Sequence, residues 1–226
     1  MGTATLILGE SGTGKSTSLR NVNPQQAILV KSVGKPLPFK SKGWLPWDSK
    51  VKTGSVVVSD DWSIIKAIIN RAPTYGKNIV IIDDFQYVMS NEFMRRSEEK
   101  SFDKFTEIGR HAWEIIKAAQ DAPDDLRVYF LAHTEETQMG RVKMKTIGKM
   151  LDEKVTVEGM FTIVLRTFTR DGKYQFTTQN NGADTVKSPM GMFDTAEIEN
   201  DLAMVDAAIC DYYGINNVHP LKENAA

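Results

Sequence analysis

The stretch "LILGESGTGKST", residues 6–17, decides the fold. It sets Gly9, Gly14, Lys15 and Ser16 at the spacing G-x-x-x-x-G-K-[ST], directly behind an aliphatic run. Glycines at these points let the backbone curl until successive N–H groups face one concavity, a shape that holds phosphate oxygens. A helix starting immediately afterwards adds the partial positive charge of its N-terminus. On this reading Gly9, Glu10, Ser11, Gly12, Thr13, Gly14, Lys15, Ser16 and Thr17 cradle a nucleoside triphosphate. Lys15 reaches the β- and γ-phosphates, and the Ser16 hydroxyl is a ligand for Mg²⁺.

Working outward, "NIVIIDDF" (78–85) supplies the partner of that loop. An aliphatic run leads to Asp83, the expected Walker B carboxylate that holds the metal through water. Asp84 follows directly, placed to orient or deprotonate an attacking water; its other reading is a cap or tether for the next segment. An N-K-x-D base-reading motif and an Arg-rich lid are both missing from the sequence. Their absence favours ATP hydrolysis over GTPase switching or nucleoside monophosphate kinase chemistry. A third element, "RVYFLAHTEE" (127–136), is an aliphatic run with a polar end. It suits the P-loop class in which an extra strand lies between the loop strand and the Walker B strand. His133 and Thr134 then sit at the γ-phosphate, so Lys15, Asp84 and His133 are the catalytic candidates, although a lone histidine reads equally well as structural.

Near-continuous aliphatic runs are strands covered on both faces. They fall at 5–8, 27–30, 55–58, 78–82, 127–132 and 161–168, and helical patterns fall at about 15–21, 61–71, 90–120, 144–154 and 196–213. In the last of these, Ile198, Leu202, Val205 and Ile209 form a stripe at helical spacing. Residues 167–178 read as a hairpin turning at Asp171-Gly172. The expected fold is α/β: one three-layer domain over 1–226 with a mostly parallel central sheet, a C-terminal hairpin and helix, and a fraying tail over 214–226. Residues 32–54, rich in Pro, Gly and Lys, form the longest irregular segment.

The lone cysteine, Cys210, excludes an internal disulfide and a cysteine-built metal site. No apolar run approaches the roughly 20 residues of a membrane span, and "ATLILG" reads as a strand rather than a signal peptide. The expected setting is therefore intracellular and reducing, with no membrane partner. Charge is uneven: residues 1–60 carry a net +5 and residues 184–226 a net −6. That pattern describes two solvated surfaces, or an acidic end meeting a basic neighbour in a head-to-tail assembly.

With these elements placed, the chain resembles the small RecA-like P-loop ATPases encoded by bacteriophages, single-domain recombination proteins associated with single-strand annealing. The likeness runs from "LILGESGTGKST" through "GKPLPF" (34–39), "IIDDF", "FLAHTEE" and "VEGMFTIVLRT" to "KSPMGMFD" and "IENDL". It implies a RecA-like fold, ATP and Mg²⁺ as cofactors, and ATP-dependent binding of single-stranded DNA. It further implies a homo-oligomeric ring or filament with ATP at subunit boundaries, a single-strand-binding protein as a further partner, and the cytoplasm of a bacterial host cell. One departure stands out. RecA-type proteins carry a catalytic Glu just after the second strand, where this chain has "AILVKSVGK" with Lys31 and no acid. Either Asp84 takes that role or hydrolysis is slow, with Glu135 and Glu136 as lesser contenders.

The resemblance also locates DNA-binding loops after the strands that follow Walker B. Here "TQMGRVKMKTIGKM" (137–150) carries Arg141, Lys143, Lys145 and Lys149, cations that neutralise phosphates without reading sequence. Phe39, Trp44 and Trp47, interleaved with Lys40, Lys42 and Lys50, offer a second surface. Arg166, Arg170 and Lys187 are candidates for the cation that a neighbouring subunit inserts at a boundary site; each reads also as an ordinary ion-pair partner. A helicase loader, or a nucleotide-gated DNA-binding module with little turnover, are the other tasks such a chain can perform.

Overall fold

Every long aliphatic run becomes a strand, and the strands join into one sheet. The computed structural model describes residues 1–148 and 150–215, with the side chains of 152 and 153 excepted. Its strands are β1 (Thr3–Leu8), β2 (Ala27–Lys31), β3 (Val56–Val58), β4 (Ile79–Asp83), β5 (Arg127–Ala132), β6 (Thr134–Glu136), β7 (Val142–Met144), β8 (Ile163–Arg170), β9 (Lys173–Thr177) and β10 (Glu197–Glu199). Eight of them order as β10-β9-β8-β1-β5-β4-β2-β3, and β6 and β7 pair separately. From β8 to β3 all neighbours are parallel; β9 and β10 add antiparallel edges. β5 lies between β1 and β4, the insertion anticipated from the sequence.

Helices cover both faces. On one face α1 (Trp62–Arg71), α2 (Gln86–Arg95) and α3 (Asp103–Gln120) bury Ile65, Ile69, Val88, Ile108, Ile115 and Ile116 against Leu6, Val80 and Phe130. On the other, a 3-10 turn (Ser16–Asn21) and α4 (Leu202–Tyr213) bury Leu19, Leu202, Val205 and Ile209 against Ile7, Ile81 and Leu131. Successive residues of β1, Leu6 and Ile7, thus serve opposite cores, which is why the run had to be apolar throughout. Caps fix two of the helix starts. Asp61 accepts from Ser63 N at 2.8 Å, and Asp201 accepts from Ala203 N at 2.9 Å. α4 stops at Gly214, whose φ of 66° only glycine adopts freely.

α4 is also locked to the sheet by charge. Arg127 Nε and Nη2 donate to the two oxygens of Asp206 at 2.9 Å each, and the Tyr129 hydroxyl donates to the same carboxylate. All three side chains are buried, and Cys210 lies in the same core. Burial raises the Cys210 thiol to about 11, with the Asp206 charge adding to the effect.

Several boundaries differ from expectation. The segment after Lys15 is a 3-10 run rather than an α-helix. The expected helix over 90–120 is two helices. Ser101 Oγ accepts from Asp103 N at 3.1 Å to start the second, while Lys104 Nζ donates to the carbonyls of Arg96, Ser97 and Glu99 beyond the end of the first. The helix expected over 144–154 is replaced by the β6–β7 hairpin, a connecting segment and a short π-helical turn at Met150–Val155. The expected 196–213 helix is β10 followed by α4, because Asp201 caps at that point. The Asp171-Gly172 hairpin turn is present, with φ of 52° and 73°, as a type I′ turn requires. Of the expected tail, 216–226 lies outside the described residues, as does Lys149.

Candidate phosphate and metal site

Parallel strands in register end together, and this places the chemistry. Leu8 stands opposite Ala132 and Arg166, and Lys31 stands opposite Asp83. The segments leaving β1, β2, β4 and β5 therefore emerge at one edge, the crevice where open α/β sheets bind ligands.

The loop after β1 is held in a curl by its own hydroxyls. Thr13 Oγ1 donates to Glu10 O at 2.8 Å and meets Thr167 Oγ1 of β8 at 2.6 Å. A β-carbon on Gly9 would lie 1.9 Å from that Thr167 hydroxyl. Gly14 has φ of 97°, and a β-carbon there would lie 2.8 Å from the Tyr174 ring. Both positions demand glycine, one for close approach and one for conformation. Among the described residues, the amides of Gly12, Gly14 and Lys15 have no partner within the chain, as expected of N–H groups turned toward an anion. Ser11 and Gly12 are exposed at the rim, and Thr17 is half-buried at the start of the 3-10 run.

Lys15 is buried, with its ammonium donating to the carbonyls of Gly9 and Glu10 at 2.8 and 2.9 Å. Burial pulls it down to about 8, and the nearby Lys35 charge helps, against the raising effect of Asp84, Asp83 and Glu10. A poorly solvated cation at the centre of a curl of amides gains most from an incoming anion. Beside it, Ser16 Oγ donates to both oxygens of Asp83 at 3.1 and 3.0 Å. A hydroxyl and a carboxylate this close match the few oxygen ligands that Mg²⁺ takes from protein while water and phosphate supply the rest. Burial, followed by the charge of Asp84, raises the Asp83 carboxyl above its ordinary value. A divalent cation would reverse both effects.

Asp84 is the most constrained residue at this edge. Its φ is 60°, in the left-handed region. Aspartate tolerates that conformation better than most residues, and such outliers cluster at functional sites. Phe85 N donates to Leu131 O at 2.7 Å, pinning the turn to β5. The Asp84 side chain is buried, with Oδ1 3.3 Å from His133 Nε2 and Oδ2 paired with the Lys35 ammonium. Burial alone would raise its pKa; the His133 and Lys35 hydrogen bonds outweigh it and hold the carboxyl at about 2. Lys35 is raised in turn: burial lowers it, but the bond to Asp84 and the charges there prevail. His133 is held from its backbone, its N–H donating to Gln86 Oε1 at 3.1 Å.

The residues expected in the phosphate and metal site therefore come together. Lys35 was not among them, nor were Thr167, Tyr174, Gln86, Tyr87 and Asn91, which fix or line the same edge. The peripheral candidates fare differently. Arg141, Lys143 and Lys145 belong to the β6–β7 hairpin that follows His133. Lys143 pairs with Glu135 at 3.3 Å, Arg141 Nη2 donates to Asp184 O at 3.4 Å, and Lys145 is exposed. Phe39, Trp44 and Trp47 do not form a stacking surface. Trp44 is buried, Phe39 packs on the α4-side core, and Trp47 packs on Tyr75 with centroids 5.0 Å apart. Of the candidates for a boundary cation, Arg166 lies 3.4 Å from Asp184 and Arg170 makes a two-pronged pair with Glu197 at 2.6 and 2.8 Å. Lys187 bonds β8 through its backbone, and its ammonium has no ion-pair partner among the described residues. No described helix is long and apolar enough to cross a membrane.

Comparison of the chain with models of protein families, and with curated proteins, finds no match.

Proposed function

We propose that the chain is a RecA-like ATPase that binds ATP with Mg²⁺ and acts on single-stranded DNA in recombination or annealing. The observation that carries the nucleotide part is one constellation: Ser16 Oγ on the Asp83 carboxylate, beside the buried Lys15 and the doubly bonded Asp84, at the carboxyl edge of β1, β5 and β4. The loop amides and Lys15 bind the phosphates. Ser16 and Asp83 would hold Mg²⁺, whose charge offsets that on the β- and γ-oxygens. Asp84 stands next in the chain to that position, where a carboxylate orients or deprotonates water, and His133 holds its Oδ1. Strand order with β5 between β1 and β4 supports the ATPase class. The DNA part rests on the hairpin cations Arg141 and Lys145 and on the resemblance of "GKPLPF" and "KSPMGMF" to the phage recombination ATPases. In that reading the protein assembles as a ring or filament, and Lys187 is the best placed of the three boundary cations because it is uncommitted.

A second reading is favoured by one feature, the commitment of both Asp84 oxygens. A carboxylate held at about 2 by hydrogen bonds from His133 and the Lys35 ammonium is a weak base, which suits a nucleotide-gated binding module with little turnover. ATP binding and phosphate release, each measured with and without an unstructured oligonucleotide, separate the two. Stimulated turnover supports the first reading. Nucleotide-dependent DNA binding without turnover supports the second. A protein that binds DNA in neither nucleotide state has another task.

A further inference from the structure

Beside Asp84 lies an open cavity of about 480 Å³ lined by Ser32, Val33, Gly34, Lys35, Tyr87 and Asn91. Its chemistry is that of an anion site. Lys35 is its cation, with a side chain about half exposed although its ammonium reaches Asp84. Asn91 and Tyr87 stand on the first two turns of α2 and line the cavity, with Asn91 Nδ2 3.5 Å from Ser32 O as a long hydrogen bond. The Ser32 hydroxyl is buried and has no hydrogen-bond partner. Lys35 is presented by a short turn: its amide bonds Val33 O at 2.9 Å, and the Lys31 ammonium donates to its carbonyl. The backbone is thus fixed while the long side chain can swing.

We propose that this cavity binds a phosphate-type oxyanion, and that the bound anion draws Lys35 off Asp84 and frees Oδ2 to act on water. The proposal rests on the ATPase reading above and supplies what that reading lacks, a reason for the base to be tied down at rest. A nucleic-acid backbone is the source the geometry favours. The β6–β7 hairpin begins one residue after His133, and the His133 ring meets Tyr87 edge-on at 6.3 Å. A strand lying along Arg141 and Lys145 therefore has a phosphodiester within reach of the cavity wall. Free inorganic phosphate presents the same kind of oxyanion oxygens at higher charge, so the experiment includes it.

The test compares wild type, Lys35→Met and Asn91→Ala in steady-state ATP turnover, with no addition, with a thymidine oligonucleotide, and with inorganic phosphate. Losing the restraint on a general base should raise the resting rate of Lys35→Met about ten-fold, and the oligonucleotide should then add little. Asn91→Ala leaves the Lys35–Asp84 pair in place, so its stimulation is read against its own resting rate. It should lose stimulation while still binding a labelled oligonucleotide through the hairpin. Stimulation by the oligonucleotide alone identifies a phosphodiester; stimulation by phosphate as well identifies any oxyanion. A Lys35→Met protein with wild-type resting rate and wild-type stimulation overturns the proposal. A second readout needs no turnover. The imidazole ¹⁵N shifts of His133 should move when the oligonucleotide or phosphate is added to wild type, and stay still in Lys35→Met. If wild type hydrolyses nothing, the ATPase reading fails alone, and an unmoved His133 signal refutes the anion site separately.

Discussion

Asn in place of Asp84 keeps the shape of the side chain and removes its charge, and the structure sets the size of each consequence. His133 Nε2 retains an acceptor in the amide oxygen, and the Lys35 ammonium, being half exposed, returns to water. The ionised carboxyl is held at about 2 in the fold, below the 3.8 of an unperturbed aspartate. At 1.36 kcal/mol per unit this is worth about 2 kcal/mol near neutral pH. Because the folded value is the lower one, that stabilisation is present above about pH 4 and is lost as pH falls through about 2. Asp83 works in the opposite sense: it is raised by burial and by the Asp84 charge, and it is relieved when that charge goes. Asp84→Asn should therefore cost no more than about 2 kcal/mol in urea unfolding at pH 7. ATP binding should change little, since Lys15, Ser16 and Asp83 stay in place. Single-turnover hydrolysis should fall by about 10²–10⁴, the usual contribution of a positioned base. Turnover within a few-fold of wild type, in a folded protein that binds ATP, would remove Asp84 as the base and leave it as a tether for Lys35 and His133.

Lys15 offers a test by pH. Its ammonium titrates at about 8 before ligand arrives, whereas phosphate demands the charged form. ATP should therefore bind about ten-fold more weakly at pH 9 than at pH 7, and titration calorimetry that shows a flat profile refutes the assignment. Asp206→Ala strands Arg127 in the core and deprives Tyr129 of its acceptor; a loss of about 3–5 kcal/mol is expected by chemical denaturation. Lys145→Ala should lower the dependence of log affinity on log salt for single-stranded DNA by about 0.7, the value of one phosphate contact. An unchanged slope would take the hairpin out of the DNA interface.

The candidate phosphate and metal site was legible because its geometry is local. The phosphate loop needs nine consecutive residues, and Asp83-Asp84 announce themselves at the end of an apolar run. The place of β5 between β1 and β4 came instead from the likeness of "RVYFLAHTEE" to the P-loop class with an added central strand. What escaped depended on residues far apart in the chain. Lys35 meets Asp84 across 49 positions, from a segment without periodicity. The break between α2 and α3 rests on Lys104 reaching three carbonyls of the preceding turn, which no helical pattern reveals. The aromatic residues of the 32–54 segment looked like a surface because their neighbours are lysines, yet Trp44 is in the core. Two misses had readable signals. "TEETQMGRVKM" has a polar turn between short runs that suits a hairpin, and Asp201 before Leu202 is an N-cap.

Cys210, the chain's single thiol, lies on the buried face of α4 near the Arg127–Asp206 pair and is pushed up to about 11. A thiol so placed resists maleimide until the helix lifts away, so alkylation at this one atom is a clock for opening of the α4 face. The same inertness leaves the rest of the surface blank to thiol chemistry. A cysteine introduced at Met139, the exposed tip of the β6–β7 hairpin, can then carry the only dye on the folded protein and report what that hairpin touches.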